Sequence, residues 1–204
     1  MEFHPALSGA QEQWLEAHHF EVVSFLARGK SSGVWKVKKG KKYFAVKAEH
    51  SFSPRVNMVE KEARNLKVAN ARGIGPALVG MDAPAKLIVM EYIDGIPLEK
   101  WLQKNKSKLK LKKILVQLRD QARVLDVLGL NHGQLGGKLH NILVRKNNRV
   151  AIIDFEKASG VRKARNENKM IHVLGSGKTG VSQKIRSTLS PQWMDSFFGL
   201  PKTK

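Results

Sequence analysis

The sequence predicts an α+β protein of two lobes, the first β-rich with one inserted helix and the second α-rich and reduced. Three observations carry this prediction. Short β-branched or aromatic runs separated by Gly and Lys-Gly-Lys turns fill about Phe20–Tyr92. A helical apolar period takes over after "EYIDGIPLEKW". The 204 residues, 42% of them apolar, are enough for one large core or two small ones. The expected domains are a helical extension over 1–19, a first lobe over 20–93 and a second over 94–204.

In chain order, about Pro5 to His19 reads as a helix, with Leu7, Trp14 and Leu15 on a loose apolar face. "FEVVSFLARG" and "GVWKVKKGKKYFAVKAE" then read as strands, with Lys39-Gly40-Lys41 as a hairpin turn. "SPRVNMVEKEARNLKVANARG" reads as a helix begun by Ser53-Pro54 and stopped by Gly73. "PALVGM" and "KLIVMEYI" complete the sheet. From Leu111, apolar residues at Ile114, Leu115, Leu118, Ala122, Leu125 and Leu128 mark one face of a long helix that ends at Gly129. "NILV" and "VAIID" are two short strands around a basic turn, Arg145–Arg149. Beyond Val161 two or three short helices are expected, the last begun by Ser190-Pro191, with "VLGSGKTG" as a flexible basic turn.

Charge is the strongest compositional signal. The 37 Lys and Arg against 17 Asp and Glu leave a formal net charge of +20. Such a field attracts polyanions, and nucleic acid is the favoured partner; a lysine-rich solubilising surface is the plainer alternative. With no cysteine, disulfide-linked partners and thiolate metal sites are excluded. No apolar run approaches the roughly 20 residues of a membrane span, and the N-terminus does not read as a secretory signal, so a cytoplasmic protein with no membrane partner is expected.

Phosphoryl transfer from a nucleotide needs a small-residue turn over the phosphates, a lysine with its glutamate, metal-binding Asp and Asn, and a residue that positions the attacking hydroxyl. "LARGKSSGVWKV" offers the turn, with Gly29 and Ser32 near the phosphates and Val34 on the adenine. Lys47 ends the strand "FAVK" and can pair with phosphates; Glu62 in "EKEARNL" is its expected partner, ahead of Glu60. In "KLIVMEYIDGIPL", Met90 would back the base, the backbone of Glu91 and Ile93 would bond its edge, and Asp94 would face the ribose. In "LNHGQLGGKLHNILVRKNNRVAIIDFEKAS", Asn141 and Asp154 offer the hard oxygens that suit Mg²⁺. Lys138 lies three residues before Asn141, and His132 precedes both.

In order and wording, "FAVK", "KEAR", "VMEYIDG", "NHGQLGGKLHNILV" and "IIDFEKAS" resemble the small eukaryotic-like kinases of archaea, near the Rio atypical kinases. The group with "HGQL…KLHN" and "IDFEKAS" looks like the archaeal RNA kinases. The resemblance covers about Phe20 to Ser159. It implies a bilobal protein-kinase-like fold, ATP and Mg²⁺ as cofactors, and tRNA as partner, phosphorylated on the ribose 2′-hydroxyl of a variable-loop uridine.

Gln134 departs from the pattern, since it stands where kinases carry a catalytic Asp. An amide is no general base, yet it can orient a hydroxyl, and the loose transition state draws mostly on positioning and charge neutralisation. Gln134, Lys138, His132 and Asp154 are therefore the expected catalytic group, with Gly136-Gly137 re-aiming the loop. An atypical Ser/Thr protein kinase and a catalytically silent nucleotide- and RNA-binding pseudokinase are the two alternatives. Lys110, Lys113, Arg162, Lys163 and Arg165 are candidate contacts to an RNA backbone. Trp35, Trp101 and Trp193 are expected to pack rather than to stack bases.

Overall fold

The computed structural model describes residues 6–50, 53, 57–136 and 139–199. They form two compact units, Met1–Ile93 and Asp94–Lys204. The protein is α+β, with a β-sheet N-terminal lobe and a helical C-terminal part, as the sequence predicts.

The first unit is built on a five-stranded antiparallel sheet. Its strands are β1 (Glu21–Arg28), β2 (Ser32–Lys39), β3 (Lys42–Glu49), β4 (Leu78–Asp82) and β5 (Leu87–Glu91), in the order β1-β2-β3-β5-β4. Lys39 pairs with Lys42, so the β2–β3 turn is the pair Gly40-Lys41. Gly40 takes φ +57°, which a glycine reaches without a Cβ penalty. Alternation then sorts the side chains. Trp35, Val37, Val46, Ala48, Leu87 and Val89 share one face and form a core with Leu15 and Phe20. Lys36, Ala45, Lys47, Ile88 and Met90 occupy the opposite face by register.

Leu15 reaches that core from helix α1 (Gly9–Ala17). The expected helix of Pro5–His19 is thus shorter, and Pro5 lies outside the described residues. Its start is set by Ser8, whose Oγ accepts from Gln11 N while Gln11 Oε1 accepts from Ser8 N at 2.9 Å. Gln11 Nε2 also donates to Glu49 O at 2.9 Å, which fastens the helix to β3. Helix α2 spans Met58–Asn70. Its predicted start at Ser53-Pro54 is not where the described helix begins, and Pro54 lies outside the described residues. The Glu49 carboxylate accepts from Val59 N at 2.9 Å and satisfies one of the open donors of that first turn.

The second unit is organised by helix α4 (Lys108–Val127), which follows the short α3 (Leu98–Lys104). Leu111, Ile114, Leu115, Leu118, Ala122 and Leu125 are buried along one face of α4, as their spacing predicts. Ser107 caps it and Gly129, at φ +67°, closes it. Strands β6 (Gly95–Pro97), β7 (Ile142–Arg145) and β8 (Val150–Ile152) form a small antiparallel sheet. Helices α5 (Asn166–Ile171), α6 (Gly180–Thr188) and α7 (Pro191–Phe198) follow, α7 capped by Ser190.

"VLGSGKTG" is not the flexible turn the sequence suggests. Its first half is a π-helical turn, His172–Ser176, and Thr179 caps α6. Arg186 donates to both Gly175 O and Gly177 O at 3.0 Å, and Ser182 Oγ donates to Gly177 O at 2.7 Å. Partners five to eleven residues downstream hold it, which its local composition cannot show.

Candidate active site

In the first unit, β3 and α2 bring Lys47 and Glu62 together. Lys47 Nζ lies 2.7 Å from Glu62 Oε2, with side chains 11% and 3% exposed. Glu62, not Glu60, makes the pair. Val34 stands opposite Lys47, and Ala45 opposite Met90, so Val34, Ala45 and Met90 adjoin the lysine on one face. Gly29 and Ser32 bound the β1–β2 turn, where Gly29 N donates to Ser32 O at 2.7 Å and His50 N donates to Ser31 O at 3.0 Å. The turn is held by a backbone bond within it and by one from His50, and its Gly29 N–H is already committed. Glu91 N donates to Ala77 O at 2.8 Å, so this N–H is not open to a base. Ile93 is buried at 7% exposure.

In the second unit, two irregular segments meet beside β7 and β8. Asn131 and Ser159 exchange backbone hydrogen bonds at 3.0 and 2.9 Å, tying the segment around His132 to the one after Asp154. Gly133, at φ +81°, sits where a Cβ would come within 2.7 Å of Lys157 O, so only glycine fits between His132 and Gln134. A 3-10 turn, Leu139–Asn141, aims Asn141 inward, and Asn141 O accepts from Ile153 N at 2.8 Å. Asn141 Nδ2 then donates to Gln134 Oε1 at 2.9 Å and lies 3.5 Å from Asp154 Oδ2. Gln134 and Asn141 are 7% and 2% exposed. Asp154 lies two residues beyond β8, not at its last position, and adopts the left-handed backbone, φ +68° and ψ +71°. Asp tolerates this conformation at a cost of about 1 kcal/mol.

With its Nδ2 turned to Gln134 and Asp154, Asn141 keeps an Oδ1 that accepts no hydrogen bond from a described residue. That carbonyl oxygen and the Asp154 carboxylate are hard donors of the kind Mg²⁺ takes, so the residues fit that ion. Gln134 accepts from Asn141 through one lone pair of Oε1, and the second remains for a hydroxyl. Lys138 and Gly137 lie outside the described residues.

His132 is fully buried. Its Nε2 faces Ile153 O at 3.0 Å and must therefore carry the proton, while Nδ1 has no hydrogen-bond partner among the described residues. Burial pushes its pKa down, against smaller upward pulls from Ile153 O and Asp154, so the ring is neutral and structural. Below it lies a feature that sequence reasoning missed. Asn166 Oδ1 accepts from His132 N at 2.9 Å, and its Nδ2 donates to Leu130 O and to Asp126 Oδ1, both at 2.8 Å. The same Asp126 carboxylate caps α5 through Asn166 N and Glu167 N at 2.7 and 3.0 Å. "RNENK" looks like a solvated polar stretch, and nothing in it signals a residue 1% exposed.

The remaining candidates are dispersed. Lys110 and Lys113 are exposed on the first turns of α4. Arg162 is exposed and donates to Lys157 O at 2.6 Å, Lys163 gives its carbonyl to Asn131 Nδ2, and Arg165 precedes α5. Asp94, expected near a ribose, pairs with Lys146 at 2.9 Å, both side chains being well exposed. Trp35 and Trp101 are core residues, each 5% exposed, and Trp193 stacks on Phe197 at 4.5 Å.

A strand-borne Lys–Glu pair in a β-rich lobe, and an Asn beside an Asp after a His-Gly turn in a helical one, define the kinase-like class of α+β proteins. A family model described as the RIO domain matches residues 23–171. The chain belongs to the RIO-domain family, an atypical protein-kinase-like group whose members generally use ATP and Mg²⁺. It is also 31% identical over 102 residues to an uncharacterized protein of Methanocaldococcus jannaschii, a match covering 50% of this chain and 84% of the relative.

Proposed function

We propose that the protein is an ATP-dependent kinase whose acceptor is a ribose 2′-hydroxyl of tRNA, in a variable-loop uridine by the resemblance of its motifs. The observation that carries a competent transfer site is the buried Asn141–Gln134 amide pair beside Asp154. It keeps in place of the usual carboxylate a side chain that can direct a hydroxyl and cannot take its proton. Lys47, held by Glu62, pairs with the triphosphate. Asn141 and Asp154 would hold Mg²⁺, which would neutralise charge on the phosphates. Gln134 Oε1 orients the acceptor oxygen as the bond from that oxygen to the γ-phosphorus forms and the bond to the departing diphosphate breaks. With no base at Gln134, the hydroxyl proton leaves late, onto the transferred phosphoryl oxygens or water.

Incubation with γ-labelled ATP and either bulk tRNA or mixed protein tests the reading. Label in tRNA, resistant to base-specific removal and mapped to a 2′-oxygen, is the expected result. Label in protein alone identifies an atypical Ser/Thr protein kinase, and no label with retained ATP binding identifies a silent nucleotide-binding protein. Asp154→Asn keeps a residue that tolerates the left-handed backbone and removes the charge. Transfer should fall at least a hundredfold while the thermal midpoint stays within about 2 °C.

A further inference from the structure

The β2–β3 hairpin carries a surface that the phosphoryl-transfer reading leaves unused. Lys36 Nζ lies 3.9 Å from the centre of the Tyr43 ring and 4.5 Å from that of Tyr92. The two rings meet edge-on at 6.5 Å. They are the chain's only tyrosines. Tyr43 is 47% exposed.

Lys36 and Lys38 share the sheet face of Tyr43, and Lys41 lies in the hairpin turn. Lys39 and Lys42 lie on the other face, with Lys39 Nζ 5.1 Å from the centre of the Phe20 ring. No carboxylate lies between positions 36 and 42. Glu21 opposes Lys38 across β1–β2, and it is the one acid paired in register with this stretch. None of the five lysines makes a salt bridge with a described residue. Five cations held close on a twisted hairpin repel one another, so the surface is stabilised by an anion with closely spaced charges. The rings narrow the class further. A ring whose one side is backed by an ammonium offers a flat apolar surface of the kind that stacks an unpaired base, and phosphate charge suits the lysines.

We propose that this hairpin binds a single-stranded stretch of nucleic acid, with Tyr43 and Tyr92 stacking bases and the lysines of positions 36–42 meeting the backbone phosphates. Tyr43 stands opposite Lys38 on the sheet face that bears Lys47. It is four residues earlier on β3, about 13 Å along the strand. A small acceptor at the lysine does not reach it, whereas a polynucleotide does.

Fluorescence anisotropy with a labelled single-stranded RNA of about 20 nucleotides, on the full chain and across a salt series, tests the surface directly. Tyr43→Leu should weaken binding about tenfold with an unchanged salt slope, and Tyr43→Phe should restore it. Replacing Lys38, Lys41 and Lys42 by Gln together should lower the slope of log K against log salt by about 2, at roughly 0.7 per phosphate. Asp154→Asn should bind as the unaltered chain does, so loss of transfer and loss of grip are read separately. Unchanged affinity in Tyr43→Leu overturns the proposal. So does equal competition by a blunt duplex of the same length, by polyglutamate or by phosphatidylserine vesicles.

Discussion

Lys47 and Glu62 illustrate how a single contact divides between stability and function. An ion pair with side chains 11% and 3% exposed has lost most of its hydration, and the attraction between the charges roughly offsets that loss. Removing one partner does not. Glu62→Leu should therefore cost about 3 kcal/mol in denaturant unfolding, by removing the carboxylate that offsets the desolvation of the ammonium. The double variant Lys47→Met, Glu62→Leu fills a similar volume without charge and should recover most of that stability. It should still fail to bind nucleotide, which separates the two roles of the lysine. His132 gives a second residue-scale prediction, with its sign set by burial. The folded-state pKa lies below the ordinary 6.5, so in acid the unfolded chain binds more protons than the folded one. Its contribution is complete above about pH 6.5 and declines as the pH falls below that value. A His132→Gln chain should lose less stability than the unaltered protein between pH 7 and 5.5, measured by urea titration at each pH.

Elements differ in how far their own residues specify them. The β2–β3 hairpin was legible because its turn chemistry and its β-branched runs agree locally, although Lys39, expected in the turn, closes the ladder with Lys42. The apolar face of α4 was legible for the same reason. Lys47 and Glu62 could be paired in advance because strand and helix order constrain them. The extent of α1 was not, since the Ser8–Gln11 box and the left-handed His19 decide it, and a periodicity argument sees neither. The segment of His172–Ser176 and the Asp126–Asn166 bridge were invisible for a deeper reason. Their polar groups are satisfied by partners 9 to 40 residues away, so composition reads them as solvated. That bridge joins three elements: the last turn of α4, the first of α5 and the chain at His132. Asn166→Leu leaves His132 N–H and an Asp126 carboxylate with unmet bonds in the interior. It should cost about 2–4 kcal/mol and raise amide exchange at 130–134 more than in the first unit. Arg119 and Arg123 brace the same end of α5, each 2.7 Å from Glu167 Oε1. They hold that carboxyl below its usual range even though burial works upward on it, so this support persists well into mild acid.

At the scale of the whole molecule the decisive quantity is the charge of +20, spread over lysine-rich segments of both units. Like charges repel at a range set by salt, about 10 Å at 0.1 M and 3 Å at 1 M, while ion pairs as close as Lys47–Glu62 and Arg119–Glu167 are screened far less. Raising salt should therefore relieve repulsion more than it weakens attraction. The thermal midpoint should climb by several degrees between 0.05 and 0.5 M NaCl. Binding of a polyanion follows the opposite course, because it gains by releasing counterions and loses that gain as salt rises. The two responses must cross. At low salt, single-stranded RNA should raise the midpoint by more than added salt does, and at 0.5 M it should add nothing. A calorimetric grid over salt and RNA concentration measures both. Should the midpoint stay flat from 0.05 to 0.5 M, the lysines are a solvated coat with no repulsion to relieve, and a nucleic-acid partner loses its electrostatic basis.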